Sequence, residues 1–131
     1  MNSIRTSRLE LISWSLAWLR TALEDQTLLP ELVPYQLPAQ FPGDLSGLLR
    51  LRLAQLERDS LERAFLLRSI VLNGQMIGLV GFHTKPNFAG RLEVGYEVFP
   101  DFRRQGFALE AVRGVLAWAG SSLGSGLLWL R

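Results

Sequence analysis

The feature that most restricts the fold is a strand pattern that runs directly into a helix pattern in the last third of the chain. Residues 91–99 alternate between apolar and polar side chains, as a half-buried strand does. Residues 105–119 instead carry apolar side chains at helical spacing. A further short strand is predicted at residues 127–130, after a Gly/Ser turn. Because a helix that joins two neighbouring strands suits a parallel crossover, we expect these elements to share one sheet.

The turn between that strand and that helix has the composition of an anion-binding site. It reads Arg103-Arg104-Gln105-Gly106-Phe107-Ala108. The first N–H groups of a helix have no partner within the helix, so a helix N-terminus attracts anions. Gly106 leaves room for a bulky anion beside the backbone, and the guanidinium groups of Arg103 and Arg104 match phosphate geometry. The turn therefore predicts a seat for a phosphate-bearing ligand.

Two other interpretations of this turn stay open. In the first, it is only a glycine-containing helix start with solvated arginines. In the second, the arginines belong to a nucleic-acid-binding patch, although the sequence shows no basic stripe with interleaved aromatic residues. The net charge of only +2 does not require a polyanionic partner either. We therefore expect no nucleic-acid partner.

The first half of the chain predicts a strand, two helices and an unusual connection. Residues 6–12 predict a short strand, and Ser13 or Ser15 can cap the helix that follows. Prolines at positions 30, 34, 38 and 42 predict a connecting loop over residues 28–43, which is either functional or a plain surface connection. Asp44 is the predicted N-cap of a second helix at residues 45–58.

Two more strands complete the pattern. Residues 64–72 and 76–82 predict strands joined by Asn73-Gly74, a strong hairpin signal, and residues 85–90 predict another turn. The order strand, two helices, three strands, helix, strand indicates the α/β (α+β) class. We expect a mixed, mostly antiparallel sheet with helices on both faces. The length of 131 residues suits a single domain over residues 1–131.

Composition excludes several classes of protein. The chain has no cysteine and one histidine, so it forms no disulfide, and a metal centre is not expected. Apolar runs are too short to span a bilayer, and the N-terminus lacks the apolar core of a signal peptide. We therefore expect a soluble, cytoplasmic protein without a membrane partner.

The order of elements, with Arg103-x-x-Gly106-x-Ala108 opening the crossover helix, resembles the GNAT superfamily of acyl-CoA-dependent N-acetyltransferases. The stretch from Leu92 to Ala111 is similar to the branch that contains the RimJ/RimL-type ribosomal-protein acetyltransferases, and residues 6–11 match the usual opening of that branch. The resemblance covers essentially the whole chain. It implies an acyl-CoA N-acyltransferase-like fold and transfer of acetyl from acetyl-CoA to a primary amine, on a protein N-terminus or a small molecule.

The resemblance also implies which residues hold the cosubstrate. The pyrophosphate of acetyl-CoA is expected on the backbone amides of Arg103, Arg104, Gln105, Gly106, Phe107 and Ala108. The pantetheine arm is expected to bond the backbone near Val98 and Phe99. N–H groups at the same two residues are expected to hold the oxyanion that forms when the amine attacks.

Acetyl transfer to an amine needs a base for the ammonium proton, and two carboxylates are candidates. Strands that are covered on both faces are usually continuous apolar runs, so two carboxylates on residues 91–99 indicate that one face of this strand is in contact with water. Glu93 is the first candidate base and Glu97 the second. The alternative is that both pair with arginines on the surface. His83, at a strand end, is a weaker candidate, and Tyr96 is expected in the core on the apolar face.

The sequence departs from the family pattern at its C-terminal end. Members of the family continue with a further helix and two strands, and that helix commonly carries an Asn that contacts the cofactor and a Tyr that protonates the thiolate. We therefore expect an incomplete domain with an exposed apolar edge, which a homodimer could cover. The alternative function is a non-catalytic CoA-binding or interaction domain.

Overall fold

The computed structural model describes residues 3–59, 63, 65–83 and 93–123. Its sheet has five strands in the order β1-β2-β3-β4-β5, and each neighbouring pair is antiparallel. The strands are β1 (Ser3–Arg5), β2 (Leu9–Ser13), β3 (Arg68–Leu72), β4 (Gln75–Phe82) and β5 (Val94–Val98). The predicted strand at residues 127–130, the parallel crossover into it and the predicted turn at residues 85–90 lie outside the described residues.

Helices cover both faces of the sheet. One face packs against α1 (Leu16–Glu24), the short α2 (Leu29–Leu32) and α3 (Ser46–Arg58), and the other packs against α4 (Phe107–Leu123). Each face has its own apolar core, with Trp14 and Leu49 in the first and Phe107 and Val115 in the second. The prediction of a mostly antiparallel sheet flanked by helices is therefore confirmed. Among the described helices, none combines the length and the apolar character needed to cross a bilayer.

The first predicted strand is wrong in its bounds, because residues 6–8 form a turn between β1 and β2. The Thr6 N–H donates to the Leu9 carbonyl at 2.9 Å, and the Thr6 hydroxyl accepts from the Leu9 N–H at 3.1 Å. These two bonds close a hairpin where the sequence pattern suggested continuous strand. The second hairpin follows the prediction, since Asn73 and Gly74 both adopt positive φ (49° and 78°), as a two-residue turn of this kind requires.

The predicted helix caps have opposite outcomes. Ser15 caps α1 as predicted, and its side chain accepts from the Trp18 N–H at 3.1 Å. Asp44 does not cap α3, because it lies inside a 3₁₀ turn (Gly43–Leu45) that runs into the helix. In that turn the Leu45 N–H already bonds the Pro42 carbonyl at 2.8 Å. A preceding helical turn thus replaces a side-chain cap.

The proline-rich connection is packed into the core and is not a plain surface loop. Pro30 lies in the first turn of α2, where a missing N–H removes no helical hydrogen bond. Val33, Tyr35 and Phe41 are buried. Gln36 pairs with the β3–β4 hairpin, since its N–H donates to the Gly74 carbonyl at 2.8 Å. The segment therefore acts as an additional layer on the α1–α3 face.

A buried polar cluster fastens this connection to the sheet. The hydroxyl of Ser69, on β3, lies 2.7 Å from the Trp14 indole Nε1 and 2.7 Å from the Tyr35 hydroxyl. Burial raises the pKa of the Tyr35 phenol well above its ordinary value, and the hydrogen bond to Ser69 opposes that rise only in part. All three polar groups are thereby satisfied in a dry environment, as buried polar groups must be.

Gly81 should be the glycine of the sheet that least tolerates a side chain. A Cβ built on Gly81 would lie 1.5 Å from the Leu66 carbonyl oxygen, so the backbone must move to admit it. We expect Gly81→Ala to lower the free energy of unfolding by at least about 2 kcal/mol in urea denaturation. Gly47→Ala, in the first turn of α3 with open space around it, is the control and should be neutral or stabilising by up to about 1 kcal/mol. Equal urea midpoints of unfolding for Gly81→Ala and Gly47→Ala would contradict the close contact between Gly81 and the Leu66 carbonyl.

Candidate functional site

The turn between β5 and α4 has an unusual backbone conformation. A 3₁₀ turn (Pro100–Phe102) is followed by Arg104 at φ 64° and Gly106 at φ 82°. Positive φ is uncommon for a residue with a Cβ but costs glycine nothing. Left-handed residues interspersed in a turn are typical of backbone nests, in which consecutive N–H groups converge on an anion. The turn thus has the backbone form expected of an anion-binding site.

Most of the N–H groups in this turn are not used by the protein. Within the part of the chain that the structure describes, the N–H groups of residues 104–108 donate no hydrogen bond. The Arg103 N–H is an exception to the prediction, because it bonds the Pro100 carbonyl at 3.3 Å. The Glu110 N–H, one turn into the helix, bonds the Gly106 carbonyl at 3.1 Å. Five of the six predicted amides therefore remain available to a ligand.

A cleft of about 700 Å³ opens beside these amides, between β5 and the first turns of α4. Six of the eight predicted cosubstrate-binding residues line it, namely Val98, Arg103, Arg104, Gly106, Phe107 and Ala108. Its remaining walls are Tyr96, Glu97, Phe102, Leu109 and Val112. The cleft has cationic and amide groups at one end and apolar side chains along its length. Such an arrangement suits an elongated ligand with an anionic group at one end.

The hydrogen-bond pattern of β5 separates the roles of Val98 and Phe99. The Phe99 N–H donates to the Ile77 carbonyl of β4 at 2.9 Å, and the Phe99 carbonyl accepts from the Phe102 N–H at 2.9 Å. Because bonding alternates along an antiparallel pair, the N–H and C=O of Val98 point to the opposite edge, where the cleft lies. Among the described residues, the Val98 N–H therefore faces the cleft without a partner and the Val98 carbonyl accepts from Arg103 Nε, whereas both main-chain groups of Phe99 are engaged within the protein.

Tyr96 is not a core residue, and the expectation that it would be is wrong. Its side chain is 60% exposed, although Val94 and Val98 on the same face of β5 are buried. The cleft separates this part of the strand from Leu109 and Val112 of α4, so among the described helices none covers the ring. The alternating pattern predicts the correct face for Tyr96, but it cannot show where the helix lies relative to that face.

The two candidate carboxylates lie on the other face of β5, and both are paired. Glu93 Oε2 lies 3.3 Å from His83 Nδ1, and Glu97 Oε2 lies 2.8 Å from Arg103 Nη2. All four side chains are about half exposed. Arg103 also donates from Nε to the Val98 carbonyl at 2.7 Å. The alternative of surface pairing therefore describes the contacts of both glutamates, and the partner of Glu97 is an arginine.

A second cleft, of about 250 Å³, opens on the face that carries the glutamates. Its walls include Leu45 and Leu48, Arg52 of α3, His83, and the two β5 residues Tyr96 and Glu97. Tyr96 and Glu97 also line the larger cleft, so the two clefts meet at this point of the strand. Glu97 is the candidate base that lies at their junction.

The His83 ring rests on Gly95, between the two glutamates of the strand. A Cβ at Gly95 would lie 2.8 Å from His83 Nε2, so the absence of a side chain there makes room for the imidazole. The His83 N–H of the main chain also donates to the Glu93 carbonyl at 2.9 Å. One imidazole and two carboxylates thus gather near the smaller cleft, where they could accept a proton.

Sequence reasoning missed a group of contacts behind the anion-binding turn. Arg8 Nε lies 2.7 Å from Glu110 Oε1, the Arg8 N–H donates to Glu110 Oε2 at 2.8 Å, and Thr6 Oγ1 donates to the same oxygen. Arg8 Nη1 donates to the Gln105 carbonyl at 3.0 Å. The residues were noticed only as family markers, because no spacing rule can pair positions 102 apart in the chain.

These contacts set the ionisation of Glu110. Partial burial alone would raise the pKa of this carboxyl. The hydrogen bonds from Thr6 and from Arg8, together with the charge of Arg8, outweigh that effect and hold the pKa below its ordinary value of 4.5. Glu110 is therefore a carboxylate that stabilises the folded state by being ionised.

Comparison with known proteins assigns the family. A family model described as "Acetyltransferase (GNAT) domain" matches residues 17–130. This chain belongs to that family. The resemblance inferred from the strand-turn-helix motif is therefore confirmed. Over 50 residues the chain is 40% identical to "Uncharacterized N-acetyltransferase YoaA" of Bacillus subtilis, and the aligned segment spans 38% of this chain and 28% of that protein.

Solved structures of acetyltransferases share the fold of this GNAT chain. RimL, a ribosomal L7/L12 α-N-protein acetyltransferase, has a TM-score of 0.61 at 13% identity, over 98% of this chain and 70% of its own. The ribosomal-protein-S5-alanine acetyltransferase of Vibrio fischeri has a TM-score of 0.59 at 16% identity, over 98% and 72%. The microcin C7 self-immunity acetyltransferase MccE, solved with acetyl-CoA and AMP, has a TM-score of 0.59 at 15% identity, over 95% and 69%. The chain spans about seven-tenths of the length of each.

Acidification should remove the stabilising effect of Glu110. Because its pKa is lowered by folding, its contribution is complete above about pH 4.5 and is lost as the pH falls through the lowered value. At pH 7 we expect Glu110→Gln to reduce the free energy of unfolding by about 1–2 kcal/mol, and the difference from wild type should shrink below pH 4.5. Urea denaturation at a series of pH values measures the loss of stability at pH 7 and its decrease at lower pH.

Glu57→Gln is the matched control for this titration. Glu57 forms an exposed ion pair with Arg20 at 3.0 Å, and such pairs contribute about 0–1 kcal/mol. If Glu110→Gln proved no more harmful at pH 7 than Glu57→Gln, the importance of the Glu110 contacts would be refuted.

Proposed function

We propose that this chain is an N-acetyltransferase that moves the acetyl group of acetyl-CoA to a primary amine. The observation that carries the proposal is the row of unbonded N–H groups at residues 104–108, at the end of the larger cleft. A diphosphate needs several converging donors, and these amides and the Arg104 cation supply them. Membership of the GNAT family supports acetyl transfer, and the acetyl-CoA complex of MccE supports the cosubstrate.

The residues of the turn and the cleft fit coenzyme A along its length. At the anionic end, Gly106 adopts φ 82°, which a residue without a Cβ reaches at no steric cost, so the turn can keep its N–H groups exposed to a phosphate. Further along, Leu109 and Val112 offer apolar contact. At the strand, the Val98 carbonyl has a second lone pair beside its bond to Arg103 Nε and can accept from an amide of the pantetheine arm, whereas the main chain of Phe99 is engaged within the protein.

The meeting point of the two clefts suggests how the chemistry is arranged. The amine enters from the smaller cleft, and its nitrogen attacks the thioester carbon, so that a C–N bond forms and the C–S bond breaks. The outward N–H of Val98 is placed to donate to the oxygen that becomes negative. The proton released by the amine goes to Glu97 at the junction, or to His83 with Glu93 behind it, and the thiolate takes up a proton as it leaves.

The acceptor is a primary amine small enough at its reactive end to enter about 250 Å³. A protein N-terminus and a small-molecule amine both satisfy this. RimL and the S5-alanine acetyltransferase act on ribosomal proteins according to their names, which supports the first. A single domain, a cytoplasmic location and a homodimer that covers the outer edge of the sheet stay predictions within this proposal.

The alternative function is a CoA-binding module without catalysis, which family membership does not favour. Both carboxylates already have partners, His83 for Glu93 and Arg103 for Glu97, so neither is bare in the form described. Calorimetry with CoA, followed by an assay of thiol release from acetyl-CoA with a panel of amines, separates the two functions. Binding without thiol release for any amine supports the module, and release with one amine class supports the enzyme.

Replacing the two carboxylates tests the proton acceptor. We expect Glu97→Gln to lower kcat by roughly 100-fold or more, the usual effect of losing a general base, while CoA affinity changes little. Glu93→Gln should lower kcat less, because it acts through the His83 ring. Glu24→Gln, on α1 and away from both clefts, is the control in the same thiol-release assay. A rate equal to wild type for both cleft variants would eliminate Glu93 and Glu97 as bases.

A pair of left-handed glycines tests the phosphate seat. Gly106→Ala and Gly74→Ala each place a Cβ at positive φ (82° and 78°), so both should lower stability by about 1–2 kcal/mol. Only Gly106→Ala strains the phosphate turn itself and places a Cβ 3.4 Å from Arg8 Nη2, and we expect it to weaken CoA binding by roughly tenfold or more. Calorimetry measures the affinities. If the two variants bound CoA equally well, the diphosphate would have to lie elsewhere.

A further inference from the structure

The turn at residues 6–8 between β1 and β2 is fastened to the first turn of α4. Glu110 is the common acceptor, since its two carboxylate oxygens receive the Arg8 main-chain N–H, Arg8 Nε and the Thr6 hydroxyl. The Glu110 side chain is only 16% exposed, so these contacts form in a partly dehydrated position. Charged hydrogen bonds of this kind hold geometry more firmly than neutral ones.

The guanidinium of Arg8 is fixed on three sides. Nε faces Glu110 at 2.7 Å, Nη1 donates to the Gln105 carbonyl at 3.0 Å, and the carbon Cζ lies 4.4 Å from the centre of the Phe107 ring. The stacking over Phe107 orients the plane of the group, and Glu110 sets its rotation in that plane. The remaining nitrogen, Nη2, lies 3.4 Å from the position that a Cβ of Gly106 would take.

The bond to Gln105 determines the direction of an amide. Gln105 contributes the C=O, and Gly106 the N–H, of one planar trans peptide unit, in which the two groups point in opposite directions. When Arg8 holds the Gln105 carbonyl, the Gly106 N–H must point away from Arg8. The φ of Gly106, at 82°, is one of the two torsions that flank this peptide, and glycine leaves that torsion free, so an external contact is needed to hold the peptide in one orientation.

We propose that Arg8, held by Glu110, is the positioning residue that turns the Gln105–Gly106 peptide so that the Gly106 N–H faces the diphosphate of the cosubstrate. Arg8 acts through the main chain and not as a phosphate ligand. The inference rests on the proposed function, because it concerns the phosphate seat of the same cleft. It adds that residues of the first hairpin control cosubstrate affinity.

Plain electrostatics is the rival explanation, and it predicts a different sign. Arg8→Ala removes a positive charge near an anionic ligand, so it weakens binding under either explanation. Glu110→Gln removes a negative charge, so electrostatics alone predicts tighter binding of CoA. Loss of positioning predicts weaker binding. Arg8→Lys keeps the charge but has one nitrogen, which cannot hold Glu110 and the Gln105 carbonyl in the fork geometry of arginine.

The experiment measures the affinities of CoA and of 3′-dephospho-CoA by calorimetry for wild type, Arg8→Ala, Arg8→Lys, Glu110→Gln and the control Arg5→Ala. Arg5 lies on the same hairpin, is 80% exposed and forms only a long ion pair of 3.9 Å with Glu10. We expect losses of roughly tenfold for Arg8→Ala and for Arg8→Lys, and roughly fivefold for Glu110→Gln, alike for both ligands. Arg5→Ala should change either affinity by less than about twofold.

Three results would overturn the positioning role. The first is tighter or unchanged binding in Glu110→Gln, and the second is near-wild-type binding in Arg8→Lys. The third is a loss for CoA but not for 3′-dephospho-CoA, which would make Arg8 a direct ligand of the 3′-phosphate. Circular dichroism checks that each variant is folded, and if Glu110→Gln is not, Arg8→Lys decides the matter.

A ligand-free measurement separates this inference from the proposed function. In ¹H–¹⁵N spectra without CoA, the Gly106 and Phe107 amide signals should shift in Arg8→Ala and stay in place in Arg5→Ala. If they stay in place in both, Arg8 does not orient the turn, even in a protein that binds CoA. If wild type binds neither CoA nor 3′-dephospho-CoA, the phosphate seat and the proposed function fail together, whatever the spectra show.

Discussion

Unpartnered backbone N–H groups at the start of α4 are the constraint on which the candidate site depends. A helix leaves its first amides without internal acceptors, and a protein normally satisfies them with a side-chain cap or with water. In this chain the described residues offer residues 104–108 no such acceptor, and two left-handed residues turn the backbone around the space in front of them. The arginines add charge to a site that the main chain already defines.

Strand β5 connects that site to the opposite face of the sheet. Its main-chain groups alternate between bonding β4 and facing the larger cleft, while its side chains alternate between the α4 face and the smaller cleft. Tyr96 and Glu97 are neighbours on this strand and line both clefts, so the two clefts are joined at these residues. One short strand therefore presents backbone groups to the larger cleft and a carboxylate where the two clefts meet, which is the arrangement that the proposed reaction uses.

Features that depend on a few consecutive residues could be predicted from the sequence. The Asn73-Gly74 hairpin, the Ser15 cap and the turn before α4 follow from backbone preferences that act over a few residues. The exposure of Tyr96 was not predictable, because it depends on where a helix lies relative to a strand. The same holds for the fastening of Arg8 to Glu110 and for the burial of the proline-rich connection. Each of these results from packing between elements whose separation no periodicity reveals.

The fastening of the first hairpin to α4 has a consequence for the order of events during folding. Contacts between residues about 100 positions apart form late, since the intervening chain must close a large loop first. Helix α4 can therefore exist in a partly folded chain before its leading turn has its final shape. Full competence to bind an anion would arise only when the first hairpin docks on α4, which makes ligand capture a reporter of completed tertiary structure.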